Sequence, residues 1–387
     1  MCGKRRILFL MPSLRGGGAE RTLINLLHKI DYNRYDVDLL VVSKEGPYVD
    51  KIPEKVNVKY FYKSKILVRV LSYFHRTFNV VWFFKRKMSV LDKPYNIGIS
   101  FLDSHFTELL FYTDKIEKRI AFVHSSYLSH DDYKKFLTDQ QLRENVKRNR
   151  YLRLDGIYFV SHDSMADFQK IFGDLPKTGV VYNIIDRESV LRKSKRNDFP
   201  SSVNTTSGFF TFSAVGSLLS VKGFDRLIRA SKIVRDKGYE FKVHIAGSGP
   251  EKERLQRLIK KLGLDDTVQL HGFVKNPYPL MKRSDVFVMS SVSEALPTVL
   301  CEAMILGVPS LVTNCSGCRG LVENGEFGLM AEQNDHDLAE KMMLYMDNPE
   351  LLKHYSEKAL KRAELFDDNR ILNSYYKIFE GEEPAPV

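Results

Sequence analysis

Residues 286–307 read V-F-V-M-S-S-V-S-E-A-L-P-T-V-L-C-E-A-M-I-L-G, a stretch that predicts a strand, a loop and a helix in succession. The apolar run 286–289 is continuous rather than alternating, which is typical of a parallel strand covered on both faces. Pro297 suits the first turn of a helix and Gly307 suits its end. The backbone amides at the start of that helix would face the carboxyl edge of a parallel sheet, where anions bind favourably.

The same alternation of short apolar runs and amphipathic helical patterns extends along the whole chain. Further buried strands are predicted at residues 7–11, 37–42, 97–101, 120–123, 157–160, 180–182, 209–215, 241–246, 268–271 and 309–312. Strands that alternate with helices form doubly wound parallel sheets, so the fold class is α/β. The polar, basic segment 187–207 predicts a linker. We therefore expect one Rossmann-like domain at residues 1–190 and a second at residues 208–365. Residues 366–387 are predicted to form a helix and a tail, and this helix could cross back to the first domain.

The composition excludes several classes of protein. The 387 residues are 43% apolar, 28% charged and 12% aromatic, which excludes a disordered chain. No apolar run approaches the ~20 residues of a membrane-spanning helix, and the run at 7–11 is too short for a secretion signal. Four cysteines predict reduced thiols rather than a disulfide scaffold. These features predict a soluble cytoplasmic protein.

The positive charge is concentrated in the first half of the chain. Residues 1–200 hold 36 Lys and Arg against 23 Asp and Glu, and no acidic residue lies between Glu54 and Asp92, where nine Lys and Arg occur. This excess predicts an anionic partner, which leaves nucleic acid, a membrane surface and a phosphorylated substrate open. Within residues 64–90, apolar side chains at helical spacing precede Lys85-Arg86-Lys87. This pattern fits a helix on an anionic membrane and equally a helix packed on its own domain.

The loop after the first strand of each predicted domain contains candidate ligand-binding residues, which are glycines in the first domain and a lysine in the second. Gly17 and Gly18 allow the backbone to approach a ligand, although a tight turn explains them equally, and Arg21 excludes the dinucleotide-binding glycine spacing. In the second domain, Lys222 lies in the loop after the strand 209–215, where its ammonium group would neutralise a diphosphate without a metal. The alternative for Lys222 is an ordinary solvated lysine.

Two glutamates accompany the helix that begins near Pro297. Glu294 lies in the loop and Glu302 lies one to two turns into the helix. Carboxylates accept paired hydrogen bonds from vicinal hydroxyl groups, so this pair suits one sugar and one ribose. Either glutamate alone would be an unremarkable surface residue.

With seven residues between them, Glu294 and Glu302 resemble the E-x7-E motif of the family 4 retaining glycosyltransferases, which include many enzymes of bacterial surface-polysaccharide synthesis. Residues 216–230 resemble the G-R-L-x-x-x-K-G-x-D-x-L-I-x-A block of that family, and residues 243–250 and 268–273 resemble the strands that follow it. In the first half, residues 16–20 resemble its G-G-A-E loop and residues 180–186 resemble the segment before its hinge.

The resemblance implies a GT-B fold, in which two Rossmann-like domains face a central cleft, with the nucleotide-sugar donor mainly on the second domain. Glu302 would bind the ribose, Glu294 the transferred sugar, Lys222 the diphosphate, and the backbone at Phe273 and Val274 the nucleobase. No metal or other cofactor is implied. The implied donor-binding residues are Gly17, Gly18, Gly216, Ser217, Lys222, Gly249, Phe273, Val274, Glu294, Ala295, Leu296, Pro297, Thr298 and Glu302.

Ser217 departs from the family pattern, because an arginine that shares the diphosphate with the lysine usually stands there. Arg21 and Arg319 are the candidates to replace that charge. His124 follows the strand 120–123, where some family members carry a histidine near the reacting carbon, and we group it with Glu294 and Lys222 as a catalytic candidate. The alternative for His124 is a capping or core histidine.

On the acceptor side of the predicted site, we place Asp103, His105 and Arg21. Cys315 and Cys318 form a single C-x2-C pair, and a structural zinc site requires a second pair of ligands. We therefore expect no metal site.

The sequence thus predicts a retaining, metal-independent glycosyltransferase that moves a sugar from a nucleoside diphosphate, UDP being the family's common choice, to an acceptor hydroxyl. The basic first half favours a lipid-linked oligosaccharide acceptor at the inner face of the cytoplasmic membrane, as in capsule, O-antigen or exopolysaccharide synthesis, and nucleic acid is not expected. The alternatives are a non-catalytic nucleotide-sugar or nucleic-acid binding protein on the same scaffold, which Ser217 favours, and a GT-B epimerase. A GT-B phosphorylase would need a pyridoxal-phosphate lysine segment, which we do not find.

Overall fold

The computed structural model describes residues 3–62, 85, 88–128, 131–196 and 208–384. The chain forms two compact units. The first combines Met1–Ile184 with Asp368–Val387, and the second is Ile185–Asp367.

Each unit is built on one parallel sheet. The order of the seven strands in the first sheet is β3-β2-β1-β4-β5-β6-β7, and that of the six strands in the second is β10-β9-β8-β11-β12-β13. The strands are β1 (Arg5–Met11), β2 (Tyr35–Ser43), β3 (Asn57–Tyr62), β4 (Tyr95–Ser100), β5 (Ile116–Val123), β6 (Gly156–Phe159), β7 (Thr178–Val180), β8 (Phe210–Val215), β9 (Phe241–Ala246), β10 (Val268–Leu270), β11 (Val286–Met289), β12 (Ser310–Thr313) and β13 (Leu329–Ala331).

Helices connect the strands, as parallel pairing requires. They are α1 (Gly18–Lys29), α2 (Asp131–Thr138), α3 (Gln140–Asn149), α4 (His162–Phe172), α5 (Arg187–Ser194), α6 (Phe224–Asp236), α7 (Lys252–Lys261), α8 (Tyr278–Arg283), α9 (Thr298–Ile305), α10 (Cys318–Leu321), α11 (Asp335–Asp347), α12 (Pro349–Arg362) and α13 (Asp368–Glu380). Within the part of the chain that the structure describes, every helix falls short of the length and apolar character that crossing a bilayer requires.

The C-terminal helix α13 packs on the first sheet through aromatic side chains. The Phe379 ring lies 6.0 Å from that of Phe9, and the Tyr375 ring lies 5.3 Å from that of Phe122, both measured between centroids. All four side chains are buried. Polar contacts fix both ends of the helix, because Lys29 pairs with Asp368 at 3.0 Å and the Tyr35 hydroxyl donates to Glu380. Burial of these aromatic groups is the main force that holds the helix on this unit.

The sequence prediction missed the two strands β3 and β13. Both lie at sheet edges, where one side of the strand lacks a neighbour. The sequence of β3, N-V-K-Y-F-Y, mixes polar and apolar residues, and β13 has only three residues. Neither gives the continuous apolar pattern that marked the interior strands.

The linker predicted at 187–207 does not begin at residue 187. Residues Arg187–Ser194 form helix α5 in the second unit, where it contacts α8 and α9. Asp186 caps the helix by accepting from the Ser189 amide at 3.1 Å, and Val190 is buried. The strongly basic composition concealed the two buried positions of this helix, Ser189 and Val190. Residues 197–207 lie outside the described residues, as does the predicted membrane-facing segment 64–90 apart from residues 85 and 88–90.

Candidate active site

The stretch 286–307 folds as its sequence predicts. Strand β11 ends at Met289, Pro297 is the N-cap of α9, and Gly307 ends the helix with a positive φ of 67°. Residues 300–305 of this helix are all buried, so α9 is a core helix. Because α9 follows β11 in the chain, its free amides lie at the carboxyl edge of the second sheet. A helix N-terminus favours an anion there.

Lys222 and Glu294 form an ion pair at this edge. The Lys222 ammonium donates to the Glu294 carboxylate at 2.6 Å, and the Ser291 hydroxyl donates to the same oxygen at 2.7 Å. Only 22% of the Lys222 side chain and 11% of the Glu294 side chain are exposed. The sequence predicted separate ligands for these residues, and the structure brings their charged groups into direct contact.

The Lys222 loop is packed tightly on the end of β11. Gly223 follows Lys222 with φ of 61°, and a Cβ atom there would lie 2.1 Å from the Ser290 carbonyl oxygen. The Ser290 hydroxyl donates to the Lys222 carbonyl at 3.0 Å, and Arg226 donates to the Ser290 carbonyl at 2.9 Å. Only glycine fits this close approach, and the approach fixes the position of the Lys222 backbone.

The Glu294 loop is held from its other side by the turn that contains the two cysteines. The Glu294 amide donates to the Ser316 carbonyl at 3.1 Å, and a Cβ atom at Gly317 would lie 2.6 Å from the Glu294 carbonyl oxygen.

Cys315 and Cys318 are buried, and hydrogen bonding to Cys315 together with burial raises the pKa of the Cys318 thiol. In the described ranges, no group of three His, Cys, Asp or Glu side chains lies close enough together to hold a metal ion.

Glu302 is 2% exposed and accepts a hydrogen bond from the Tyr278 hydroxyl at 3.1 Å. Tyr278 lies at the start of α8 and is itself buried. The sequence analysis missed Tyr278, because no motif distinguishes it among 19 tyrosines. This bond sets the orientation of the Glu302 carboxylate at one end of the predicted ribose site.

The loops after β8 and β9 bring more of the predicted donor-binding residues together. The Gly216 amide donates to the Ala246 carbonyl at 3.0 Å, and a Cβ atom at Gly249 would lie 2.4 Å from the Leu218 carbonyl oxygen. Ser217 is exposed between them. In the loop after β10, Phe273 is 77% exposed, whereas Val274 packs on Ala246. The predicted donor residues of the second unit therefore follow the ends of four neighbouring strands.

His124 directly follows β5 in the first unit. Its ring lies 5.0 Å from that of Phe101, and in the described part of the chain its buried Nε2 atom has no hydrogen-bond partner. Burial lowers the pKa of His124 to about 3. The imidazole is therefore neutral at neutral pH, where it can accept or donate one hydrogen bond to a ligand but cannot serve as a cation.

Replacing His124 by phenylalanine should remove part of the acid sensitivity of the protein. A histidine in the unfolded chain takes up a proton near pH 6.5, whereas His124 in the folded chain stays neutral down to about pH 3. Protonation therefore favours the unfolded chain. The folded protein keeps its full stability above pH 6.5 and loses stability as the pH falls from 6.5 towards 3. At pH 5.5 the loss amounts to about 1 kcal/mol. Thermal unfolding of both proteins at pH 7.5 and 5.5 measures it. Equal pH dependence in the two would contradict the prediction, and the buried His244–His271 pair, common to both proteins, cancels in the comparison.

Asp103, predicted on the acceptor side, lies in a buried hydrogen-bond network of the first unit. It is 3% exposed, and the hydroxyls of Tyr127, Tyr151 and Thr107 all donate to its carboxylate, with Tyr151 and Thr107 at 2.9 Å. Arg150 lies 3.8 Å away and pairs with Glu108 at 2.9 Å. Because these contacts reach both carboxylate oxygens, Asp103 holds the loops after β4 and β5 together, and its contact with the acceptor stays a prediction.

The other candidates of the first unit are more exposed. Gly17 is the N-cap of α1. Glu20, the glutamate of the G-G-A-E loop, accepts from the Gly17 amide, and burial raises its pKa. This helix end thus carries its own carboxylate. Arg21 lies in the first turn of α1, and the His105 ring packs on Phe106. In the second unit, the exposed Arg319 donates to Asn314 at 2.9 Å.

Known proteins resemble this chain in sequence and in fold. Residues 195–362 match the family model of the glycosyl transferases group 1. An uncharacterized glycosyltransferase of Haemophilus influenzae is 26% identical over 373 residues, which cover 95% of this chain and 97% of that protein. The N-acetylgalactosamine-N,N'-diacetylbacillosaminyl-diphospho-undecaprenol 4-alpha-N-acetylgalactosaminyltransferase of Campylobacter jejuni is 31% identical over 60% of this chain and 61% of its own length.

Among solved structures, HepE of Anabaena in complex with UDP superposes with a TM-score of 0.74 at 18% identity, covering 97% of this chain and 100% of that one. The GT-B fold class predicted from the sequence is confirmed. The sequence matches support a glycosyltransferase, in which residues 195–362 resemble the glycosyl transferases group 1.

Proposed function

We propose that the protein is a retaining, metal-independent glycosyltransferase that uses a UDP-sugar as its donor. The observation that carries this proposal is the contact between Lys222 and Glu294 beside the N-terminus of α9. It brings a cation for the diphosphate and a carboxylate for the sugar hydroxyls to one end of one sheet. The Anabaena structure that shares this fold contains UDP, which supports uridine as the base.

In this proposal, donor binding separates the ion pair. The diphosphate replaces Glu294 as the partner of the Lys222 ammonium, and the released carboxylate accepts hydrogen bonds from the sugar. When the bond between the anomeric carbon and the diphosphate breaks, negative charge grows on the departing UDP. Lys222 and the α9 amides stabilise that charge more strongly in the transition state than in the ground state. Because these groups already supply positive charge at the phosphates, we propose that no divalent cation is required.

Glu302 would bind the ribose through a carboxylate that Tyr278 orients. The exposed Phe273 and its neighbour Val274 would contact the uracil. On the first unit, the neutral imidazole of His124, with its buried Nε2, would bind a hydroxyl of the sugar or the acceptor.

For the acceptor, we propose a lipid-linked oligosaccharide at the inner face of the cytoplasmic membrane. The Campylobacter relative is named for a diphospho-undecaprenol acceptor, and a putative colanic acid glycosyltransferase of Escherichia coli is 32% identical over 36% of this chain. The excess of Lys and Arg in residues 1–200 supports an anionic surface or substrate.

The experiment is to incubate the protein with a lipid-diphosphate-linked saccharide as acceptor and with UDP-glucose, UDP-N-acetylglucosamine or UDP-N-acetylgalactosamine as donor. UDP release is then measured with and without EDTA. We expect release from at least one donor at an unchanged rate in EDTA, and proton NMR of the transferred sugar should show the α-anomeric configuration of the donor. Loss of activity in EDTA would refute metal independence, and a β-linked product would refute retention.

The second candidate function is a nucleotide-sugar binding protein without turnover. The exposed Ser217 favours it, because a hydroxyl cannot share the charge of a diphosphate with Lys222. Binding of UDP-sugars without release of UDP, also in the presence of acceptor lipid, would support this alternative over the enzyme.

A further inference from the structure

The first unit contains a cavity of about 430 Å³ between its sheet and the C-terminal segment. Strands β5, β6 and β7 contribute one side, and the end of α13 with residues 381–384 contributes the other. Lys118 is the third residue of β5, and Asp155 and Lys177 directly precede β6 and β7. The cavity thus opens near the beginnings of these strands, whereas Gly17 and His124 follow strand ends. Its volume is typical of small-ligand sites, which measure about 300–1,000 Å³.

Two glycines on this face of the sheet leave room for the Tyr158 ring, which lies close to both of them. Tyr158 pairs with Gly179 across β6 and β7, and Gly156 lies two positions before it on the same strand. A Cβ atom at Gly156 would lie 3.0 Å from the Tyr158 ring, and one at Gly179 would lie 3.3 Å from it. The Tyr158 ring is therefore a large aromatic group bordered by positions without side chains. It is half-buried and lines the cavity.

The C-terminal segment closes the cavity with acidic residues. A Cβ atom at Gly381 would lie 2.4 Å from the Lys118 ammonium nitrogen, so the segment rests directly on Lys118. Pro384 lies 3.6 Å from the position of a Cβ atom at Gly179. The two residues between them in the chain, Glu382 and Glu383, also line the cavity.

Charges of both signs surround the Tyr158 ring. The lining of the cavity includes Lys118, Lys177 and Asp155 on the sheet side, Glu382 and Glu383 on the C-terminal segment, and His162. Lys177 and Asp155 approach each other to 3.9 Å. A nucleotide or another polyanion would meet three carboxylates here, whereas a neutral molecule with many hydroxyl groups would find charged donors and charged acceptors together.

We propose that this cavity binds one saccharide ring of a neutral glycan. The apolar face of the ring would lie on Tyr158, and its hydroxyls would bond to Lys118 on the sheet side and to Glu382 or Glu383 on the segment side. Such a site gives the protein a glycan contact separate from the proposed donor site. The inference stands without that site, since no residue of the second unit takes part.

The test is saturation-transfer NMR of the full chain with methyl α-glucoside and methyl N-acetyl-α-glucosaminide, which cannot act as donors. We expect signals from at least one glycoside. Tyr158→Ala and Gly179→Leu should weaken its binding about tenfold, because the first removes the aromatic face and the second fills the space. Tyr158→Phe should retain binding. Thermal unfolding checks that each variant folds, and if Tyr158→Ala does not, Lys118→Ala provides the same test from the opposite wall.

Two control variants separate this inference from the proposed function. Tyr239→Ala removes a half-buried tyrosine of the second unit that bonds to Asp347, and it should leave glycoside binding unchanged. Glu302→Gln should weaken UDP binding while glycoside binding persists. The inference is overturned if neither glycoside binds, if binding survives Gly179→Leu in the folded protein, or if UDP displaces the glycoside, because the sugar would then occupy the donor site. Preferential binding of inorganic phosphate to the cavity would also overturn it.

Discussion

Lys222→Ala should reduce kcat/KM for the UDP-sugar by about 10²–10³-fold, most of it in kcat. In the proposed mechanism, the ammonium group stabilises charge that grows as UDP departs, so its loss would affect the transition state more than the bound donor. The substitution also leaves Glu294 without the partner that it contacts at 2.6 Å. Lys222→Arg keeps the charge and should retain part of the activity. Initial rates of UDP release over a range of donor concentrations measure both kinetic parameters.

A matched control for this variant is Lys232→Ala, which removes a lysine from helix α6 in the same unit. Lys232 lies ten residues after Lys222 in the chain and pairs with Asp236 on the helix surface. Its replacement should change neither kcat nor stability. If Lys222→Ala changes KM alone, Lys222 contributes only to donor binding. If it changes neither parameter, the ion pair with Glu294 is structural and the proposed donor site is wrong.

Asp103→Ala should destabilise the first unit by about 3–5 kcal/mol. The substitution leaves the buried hydroxyls of Tyr127, Tyr151 and Thr107 without their shared acceptor and removes a carboxylate 3.8 Å from the buried Arg150. For a unit of this size, such a loss lowers the melting temperature by about 10 °C. Differential scanning calorimetry of the wild type and the variant measures the shift.

The corresponding control is Asp114→Asn, which removes the charge of an exposed carboxylate in the same unit and should leave the melting temperature unchanged. The alternative for Asp103 is the acceptor contact that its sequence position first indicated. Asp103→Ala with an unchanged melting temperature but a raised KM for the acceptor would support that alternative and contradict the structural role. Loss of stability together with normal donor turnover at low temperature would support the structural role.

The sequence by itself determined the two parallel α/β sheets and the order of their interior strands along the chain. Strand β11 and helix α9 illustrate why, because a continuous apolar run, a proline and a glycine each restrict the local backbone. The spacing of Glu294 and Glu302 likewise indicated, without any tertiary information, the glycosyltransferase resemblance that the family match over residues 195–362 supports. By contrast, the edge strands β3 and β13 were missed, because their patterns depend on which neighbour covers them.

Only the tertiary structure decided which side chains meet. Lys222 and Glu294 are 72 positions apart, and the loops that carry them converge because β8 and β11 are neighbours in the sheet. Asp103 looked like a site residue because it follows a strand, and it became a buried acceptor because Tyr127 and Tyr151 fold over it. Tyr278 and the cavity beside Tyr158 left no local signal, since both arise from packing between segments distant in the chain. Local propensities fix the elements, whereas burial and hydrogen bonding between elements fix the role of each side chain.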